Sequence, residues 1–449
     1  MRKPNILWIM TDEQRTDSLG CYGSRWGRTP NLDSLGEQGV VFSSAITPAP
    51  VCVPARTALL TGRYPSDTGV WWNHQPIERL AYLTAAFAQA GYQTASFGKQ
   101  HYGGRNPAFE HEENLVLTDR VDYFAYDHRF PIEAYDVVQY PPQPYPWILG
   151  GRFPGQPEDT MEFRVVERAI QWLEERDHGL PFLLRVSFNG PHTPVVVPDP
   201  YAPALEHAEL DQPKWPQTPT EGEPRWIRHG LRQFSDAGRL TFDQLGRAGQ
   251  YYYAYVSFID SQCGRLLTYL NRQGLTQDTV IVYTSDHGTH LGDYRLVQKQ
   301  TFYDCVVNVP LIMTYPGHFR SGIRIQTPVE TRSLLPTLLD LVGVAYDGDA
   351  ESLLACLRSG QEPSSSPVFS EFTLGSFGLM PDDPLIMVRY RNWKLSLCMK
   401  AEDRDGMLVD LSVDPEESRN LWNDPRYSAV QSELGRIIEE HLASPRKIT

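Results

Sequence analysis

Short apolar runs recur along the chain, and several end in polar or charged clusters. Asn5 to Met10, Gln93 to Phe97, Phe182 to Phe188, Thr279 to Thr284 and Pro310 to Tyr315 have the length and continuous hydrophobicity of strands buried on both faces. Between them lie segments such as Met161 to Arg176, where apolar residues recur at helical spacing. Gln250 to Arg272 reads as one long scaffold helix. Strands alternating with helices predict an α/β fold, a large mostly parallel sheet sandwiched by helices.

Two stretches break the alternation. Gly103 to Asp159 and Val195 to Asp243 are rich in Pro, aromatic and charged residues and exceed ordinary connections in length. Irregular insertions of this kind shape substrate pockets or make oligomer contacts, and a homo-oligomer stays open. The composition changes again at Ser364-Ser365-Ser366-Pro367. Beyond it, Leu385 to Met399 and Met407 to Val413 predict antiparallel strands, followed by a terminal helix. The expected division is a catalytic α/β domain over 1–364 and a small C-terminal α+β subdomain with an antiparallel sheet over 365–449.

With 449 residues the chain can bury a large core. A formal charge of −14 argues against a nucleic-acid partner, which requires clustered Lys and Arg. The six cysteines show neither zinc-module nor disulfide-scaffold spacing, which points to a reducing compartment. Met1-Arg2-Lys3-Pro4 and the apolar run after it mimic a signal peptide, but the run is short and leads directly into Asp12. No apolar stretch approaches the ~20 residues of a membrane helix, and there is no Asn-x-Ser/Thr acceptor. The expectation is a cytoplasmic enzyme with no membrane partner.

The candidate chemistry starts at Cys52-Val53-Pro54-Ala55-Arg56. Pro54 suits the first turn of a helix, which sets Cys52 at a helix N-terminus, where backbone donors favour an anion. Taken alone, a buried cysteine ahead of an ordinary helix is the simpler reading. Two strand-like runs end in acidic residues, in Thr11-Asp12-Glu13-Gln14-Arg15 and Thr284-Ser285-Asp286-His287-Gly288, at the carboxyl ends where open α/β sheets place ligands. With Thr57-Ala58-Leu59-Leu60-Thr61-Gly62-Arg63, the cysteine segment resembles the maturation and active-site signature of the type I, formylglycine-dependent sulfatases of the alkaline-phosphatase-like superfamily. Gly98-Lys99-Gln100-His101-Tyr102-Gly103 resembles the Gly-Lys-x-His-x-Gly segment of that family, and Gly190-Pro191-His192-Thr193-Pro194 its Pro-His-x-Pro. Lys299 follows Asp286 as the second family lysine does. Asp414-Pro415-Glu416-Glu417-Ser418-Arg419-Asn420-Leu421 resembles the turn of its small carboxy-terminal subdomain.

The resemblance implies a fold, a reaction and a set of roles. Cys52 is expected to be oxidised to formylglycine by a separate formylglycine-generating enzyme, giving an aldehyde hydrate as nucleophile. Asp12, Glu13, Asp286 and His287 match the metal-ligand positions, with residue 52 adding an oxygen. Mostly oxygen ligands favour Ca²⁺, with Mg²⁺ and Mn²⁺ as alternatives. Glu13 departs from the commoner Asp by one methylene. Arg56, Lys99 and Lys299 are expected to concentrate positive charge on the anionic ester, His101 to bond the hydrate and His192 to protonate the leaving oxygen. Asn73 and His74 lie where family members often contact substrate, and His290 and Tyr294 replace residues more usual there; none of the four is assigned a role. The implied reaction is hydrolysis of a small-molecule sulfate monoester to alcohol and sulfate. The alternative is a phosphodiester or phosphonate-monoester hydrolase on the same nucleophile, and behind it a non-catalytic binding protein. Related phosphonate hydrolases carry hydroxyl residues in place of Lys-x-His, so Lys99 and His101 favour sulfate.

Overall fold

The first strand, Asn5–Asp12, is buried along its whole length, because its two faces enter two different cores. Leu7 and Ile9 pack beneath the helices Met161–Glu175 and Phe242–Arg272, whereas Ile6, Trp8 and Met10 pack beneath Cys52–Thr61 and Leu334–Leu341. Side chains that alternate across a strand explain why the run is continuously apolar. A computed structural model describes residues 3–73, 75, 77–115, 137–140, 147–202, 220–374, 384–399 and 405–443. His74 and parts of both irregular stretches lie outside the described residues.

The central sheet runs in the order Ile323–Ile325, Val40–Ile46, Asn308–Thr314, Thr279–Ser285, Asn5–Asp12, Phe182–Pro191, Gln93–Gly98 and His111–Asn114, with Val329–Glu330 also pairing Val40–Ile46. Asn5–Asp12 pairs in parallel with a neighbour on each side. One expected strand departs from the parallel majority: Asn308–Thr314 is antiparallel to both Thr279–Ser285 and Val40–Ile46. The chain from Ser285 to Asn308 contains only the small hairpin His290–Leu291 with Val297–Gln298 and short helical turns. It makes no crossover, so the next strand returns beside the last. Val40–Ile46 was not among the expected strands; Ser43 and Ser44 interrupt its apolar run.

The long helix begins at Phe242, ahead of the expected Gln250, because Thr241 and Gln244 form a reciprocal cap. Near the C-terminus, Val368–Phe372, Leu385–Tyr390, Trp393–Cys398 and Gly406–Asp410 form a separate antiparallel sheet in that order. The run from Leu385 is two strands, reversed at Arg391, whose φ is 56°. Helix Ser428–Ala443 covers this sheet through Leu434 and Ile438. Among the described residues, no helix is long and apolar enough to cross a membrane.

Candidate active site

Parallel register brings the two acidic strand ends together. Thr11 pairs with Ser285, so Asp12 and Asp286 leave adjacent strands side by side. On the other side Asp12 pairs with Pro191, which places His192 next to the same corner. The chain then turns at Glu13, with φ 62°. The Glu13 N–H donates to Asp286 Oδ1 at 3.3 Å, and Tyr252 of the long helix pins the turn, its hydroxyl donating to the Glu13 carbonyl at 2.8 Å and accepting from the Arg15 N–H at 3.0 Å.

Cys52 is the first residue of the buried helix Cys52–Thr61. The Ala55 N–H returns to the Val51 carbonyl at 3.0 Å, and the Val53 N–H donates to Asn73 Oδ1 at 3.0 Å. Cys52 Sγ lies 3.2 Å from His287 Nε2, 3.2 Å from Lys299 Nζ and 3.8 Å from Asp12 Oδ1. One turn on, Arg56 reaches Asp12 Oδ2 at 3.0 Å, Asp286 Oδ2 at 2.7 Å, Ser187 Oγ at 2.9 Å and the Lys99 carbonyl at 3.0 Å. Its partners are therefore the two carboxylates, the Ser187 hydroxyl and the backbone of the next segment.

That segment leaves Gln93–Gly98 at Gly98, whose φ of 96° and closeness to the Ser187 carbonyl, 2.0 Å from where a Cβ would lie, leave no space for a side chain. The chain can then turn Lys99 inward, with Nζ 2.6 Å from Asp12 Oδ2. His101, also left-handed at φ 44°, hydrogen-bonds Cys52, and its Nδ1 has no partner among the described residues. His192 Nε2 lies 3.4 Å from Glu13 Oε1, and Lys299 pairs with the same oxygen. The structure thus gathers Asp12, Glu13, Cys52, Arg56, Lys99, His101, His192, Asp286, His287 and Lys299 at one corner of the sheet.

Opposing charges set the ionisation of this corner. Burial and the neighbouring Cys52 push the Asp12 carboxyl up, but Lys99, His192 and Arg56 outweigh them and hold it far below the usual range. Burial and then Asp12 push Asp286 up to about 6. Burial also disfavours a Cys52 thiolate, yet Lys299, Lys99 and His287 hold its pKa well below that of an ordinary thiol. Burial lowers the pKa of His101, which keeps its imidazole neutral.

Asp12, Cys52, Asp286 and His287 each present a ligand atom within 4.8 Å of the others. His287 Nδ1 lies 2.9 Å from the Gly288 carbonyl, which accepts its N–H; burial is outweighed by Asp286 and Cys52, which raise the imidazole pKa to about 9, so Nε2 becomes a metal ligand only by giving up its proton. Two carboxylates, an imidazole nitrogen and the side chain of residue 52 fit a divalent cation. Glu13 belongs to an adjoining group with Asp12 and His192, its carboxylate shared with Lys299 and His192.

Some participants carry no local signal. Ser187 reaches Arg56 because its strand pairs with Gly98. Asn73, given no role from the sequence, caps the helix that begins at Cys52.

The chain matches the family model described as Sulfatase over residues 4–344, and the one described as N-sulphoglucosamine sulphohydrolase, C-terminal, over residues 292–444. It is 29% identical over 450 residues to an ulvan-active sulfatase of Formosa agariphila, covering 98% of this chain and 81% of that protein. It is 28% identical over 474 residues to an arylsulfatase of Clostridium perfringens, covering 98% and 94%. Its fold is similar to that of a phosphonate monoester hydrolase of Agrobacterium radiobacter, with a TM-score of 0.84 at 24% identity over 98% of this chain and 95% of that one.

Proposed function

This chain belongs to the sulfatase family and is a sulfuric ester hydrolase, and we propose that residue 52, oxidised from cysteine to formylglycine and hydrated, is its nucleophile. One observation carries this reading. Cys52 opens a buried helix with its Sγ 3.2 Å from both His287 Nε2 and Lys299 Nζ. The sulfur marks the place that an oxygen of the matured residue would take, where helix amides and cations favour a developing anion.

In the proposed reaction one hydroxyl of the hydrate gives its proton to the Asp286 carboxylate beside it and attacks sulfur, and the bond from sulfur to the ester oxygen breaks. His192 gives its proton to the departing alcohol, while Lys99 and Lys299 neutralise sulfate oxygens as point charges. His101, neutral and bonded to residue 52, takes the proton of the second hydroxyl. The carbon–oxygen bond to the sulfate then breaks, the carbonyl re-forms, sulfate leaves and water restores the hydrate. Asp12, Asp286, His287, residue 52 and, by family resemblance, Glu13 would hold a divalent cation, which would supply Lewis-acid activation at this corner, with Ca²⁺ the first choice and Mg²⁺ or Mn²⁺ the alternatives. Arg56 keeps the two carboxylates apart and charged.

The reading includes maturation by a formylglycine-generating enzyme, a cytoplasmic setting in keeping with six free cysteines, and a catalytic domain over 1–364 with a small subdomain over 365–449. Its test is the mass of the Cys52 peptide, trapped with an aldehyde reagent, from protein produced with an active maturing enzyme. An aldehyde is expected; an intact thiol overturns the nucleophile. Specificity constants for an aryl sulfate and an aryl phosphodiester then decide the ester class, and a higher value for the diester overturns the preference for sulfate.

A further inference from the structure

Lys299 sits in an unusual stretch of backbone. It follows the hairpin in which His290 pairs with Gln298 and Leu291 with Val297. Both of its neighbours are left-handed, Gln298 at φ 70° and Gln300 at φ 73°, and so are Tyr294 at φ 53° and Arg295 at φ 58° in the hairpin bend. A residue with a Cβ disfavours this conformation, so it persists only where the surroundings impose it. The bend is held by Arg232, which donates to the Tyr294 carbonyl at 2.9 Å and the Arg295 carbonyl at 3.0 Å. Its base is closed by His290 Nε2 and Thr301 Oγ1 at 2.8 Å. Arg15, just beyond the Glu13 turn, pairs with Asp293 at 2.5 Å.

One link runs from this hairpin to the opposite wall of the site. Gln298 Nε2 donates to Thr193 Oγ1 at 3.3 Å, with both residues buried. Gln298 precedes Lys299 and Thr193 follows His192. The bond borders a cavity lined by Glu13, Val195, Leu245, Ala248 and Tyr252.

We propose that Gln298 is a positioning residue, which through Thr193 sets the Lys299 ammonium and the His192 imidazole as one unit across the scissile bond. The inference rests on the roles proposed above for Lys299 and His192. Lys299 holds the sulfate while His192 protonates the alcohol, so loosening the link misaligns donor and ester, and esters with poor leaving groups depend most on that alignment.

The test compares matured wild type, Gln298→Gly, Thr193→Val, the double variant and His192→Ala on 4-nitrophenyl sulfate and phenyl sulfate. Glycine retains the left-handed backbone, so Gln298→Gly removes the amide without adding backbone strain, and its circular dichroism spectrum should stay native. The expected result is a kcat on phenyl sulfate lower by about 10- to 100-fold, a smaller loss on 4-nitrophenyl sulfate and little change in KM. Thr193→Val should match it, and the double variant should be no worse than either single change. Equal losses on both esters, or single effects that multiply in the double variant, overturn the proposal. If His192→Ala does not steepen the dependence on leaving group, the role of His192 falls and this inference with it. If His192→Ala steepens it and Gln298→Gly does not, only the inference fails.

Discussion

Arg56 and Asp286, 230 residues apart in the chain, form a fully buried ion pair at 2.7 Å. The same guanidinium reaches Asp12 at 3.0 Å, so one cation spans the two strand ends that frame the site. Packed carboxylates repel, and a planar fork of donors matches two of them better than an ammonium does.

Arg56→Met should therefore lower stability by about 3–5 kcal/mol, the usual cost of leaving a buried partner uncompensated. Arg56→Lys should recover only part of it, since a single ammonium cannot reproduce the four contacts of Arg56. Urea unfolding of the three proteins checks both expectations.

Cys52→Ala should abolish turnover while leaving the fold intact. The side chain is small and lies at the start of its helix, and the surrounding cations keep Asp12, Asp286 and Glu13 as partners. Unchanged turnover of an aryl sulfate, with a native circular dichroism spectrum, would remove Cys52 from the mechanism.

Chelation should lower the thermal midpoint and stop turnover, and returning a divalent cation should reverse both. A cation at 100 times its Kd adds about 2.7 kcal/mol. Titrating Ca²⁺, Mg²⁺ and Mn²⁺ against the midpoint ranks them, and a midpoint unmoved by any of the three would refute a metal held by Asp12, Asp286 and His287.

Arg15 and Asp293 give a pH signature away from the nucleophile. Burial raises the Asp293 carboxyl, but Arg15 beside it holds it down at about 2, against an ordinary 3.8. A depressed carboxyl adds stability that is full above its unfolded value and is lost as pH falls through its folded value. Asp293→Asn should thus cost about 2 kcal/mol at pH 7, with the gap to wild type narrowing only between about 3.8 and 2. Denaturant midpoints across that range measure it.

The sequence carried much of this site because its chemistry is written in short segments attached to strand ends. Asp12, Asp286, Lys99 and His192 each follow an apolar run, and a run that ends in a charge must surface at the edge of the sheet. What the runs could not specify was their pairing. That Thr11 faces Ser285, that Asp12 faces Pro191 and that Asn308–Thr314 runs backwards follow from register and crossover. The same holds for Asn73 on the Val53 amide, Ser187 on Arg56 and Gln298 on Thr193. A local pattern determines which residues are buried, helical or extended, because those preferences arise within a few residues. Only the tertiary structure decides which buried donor meets which acceptor, because that depends on how segments well separated in the chain are packed together.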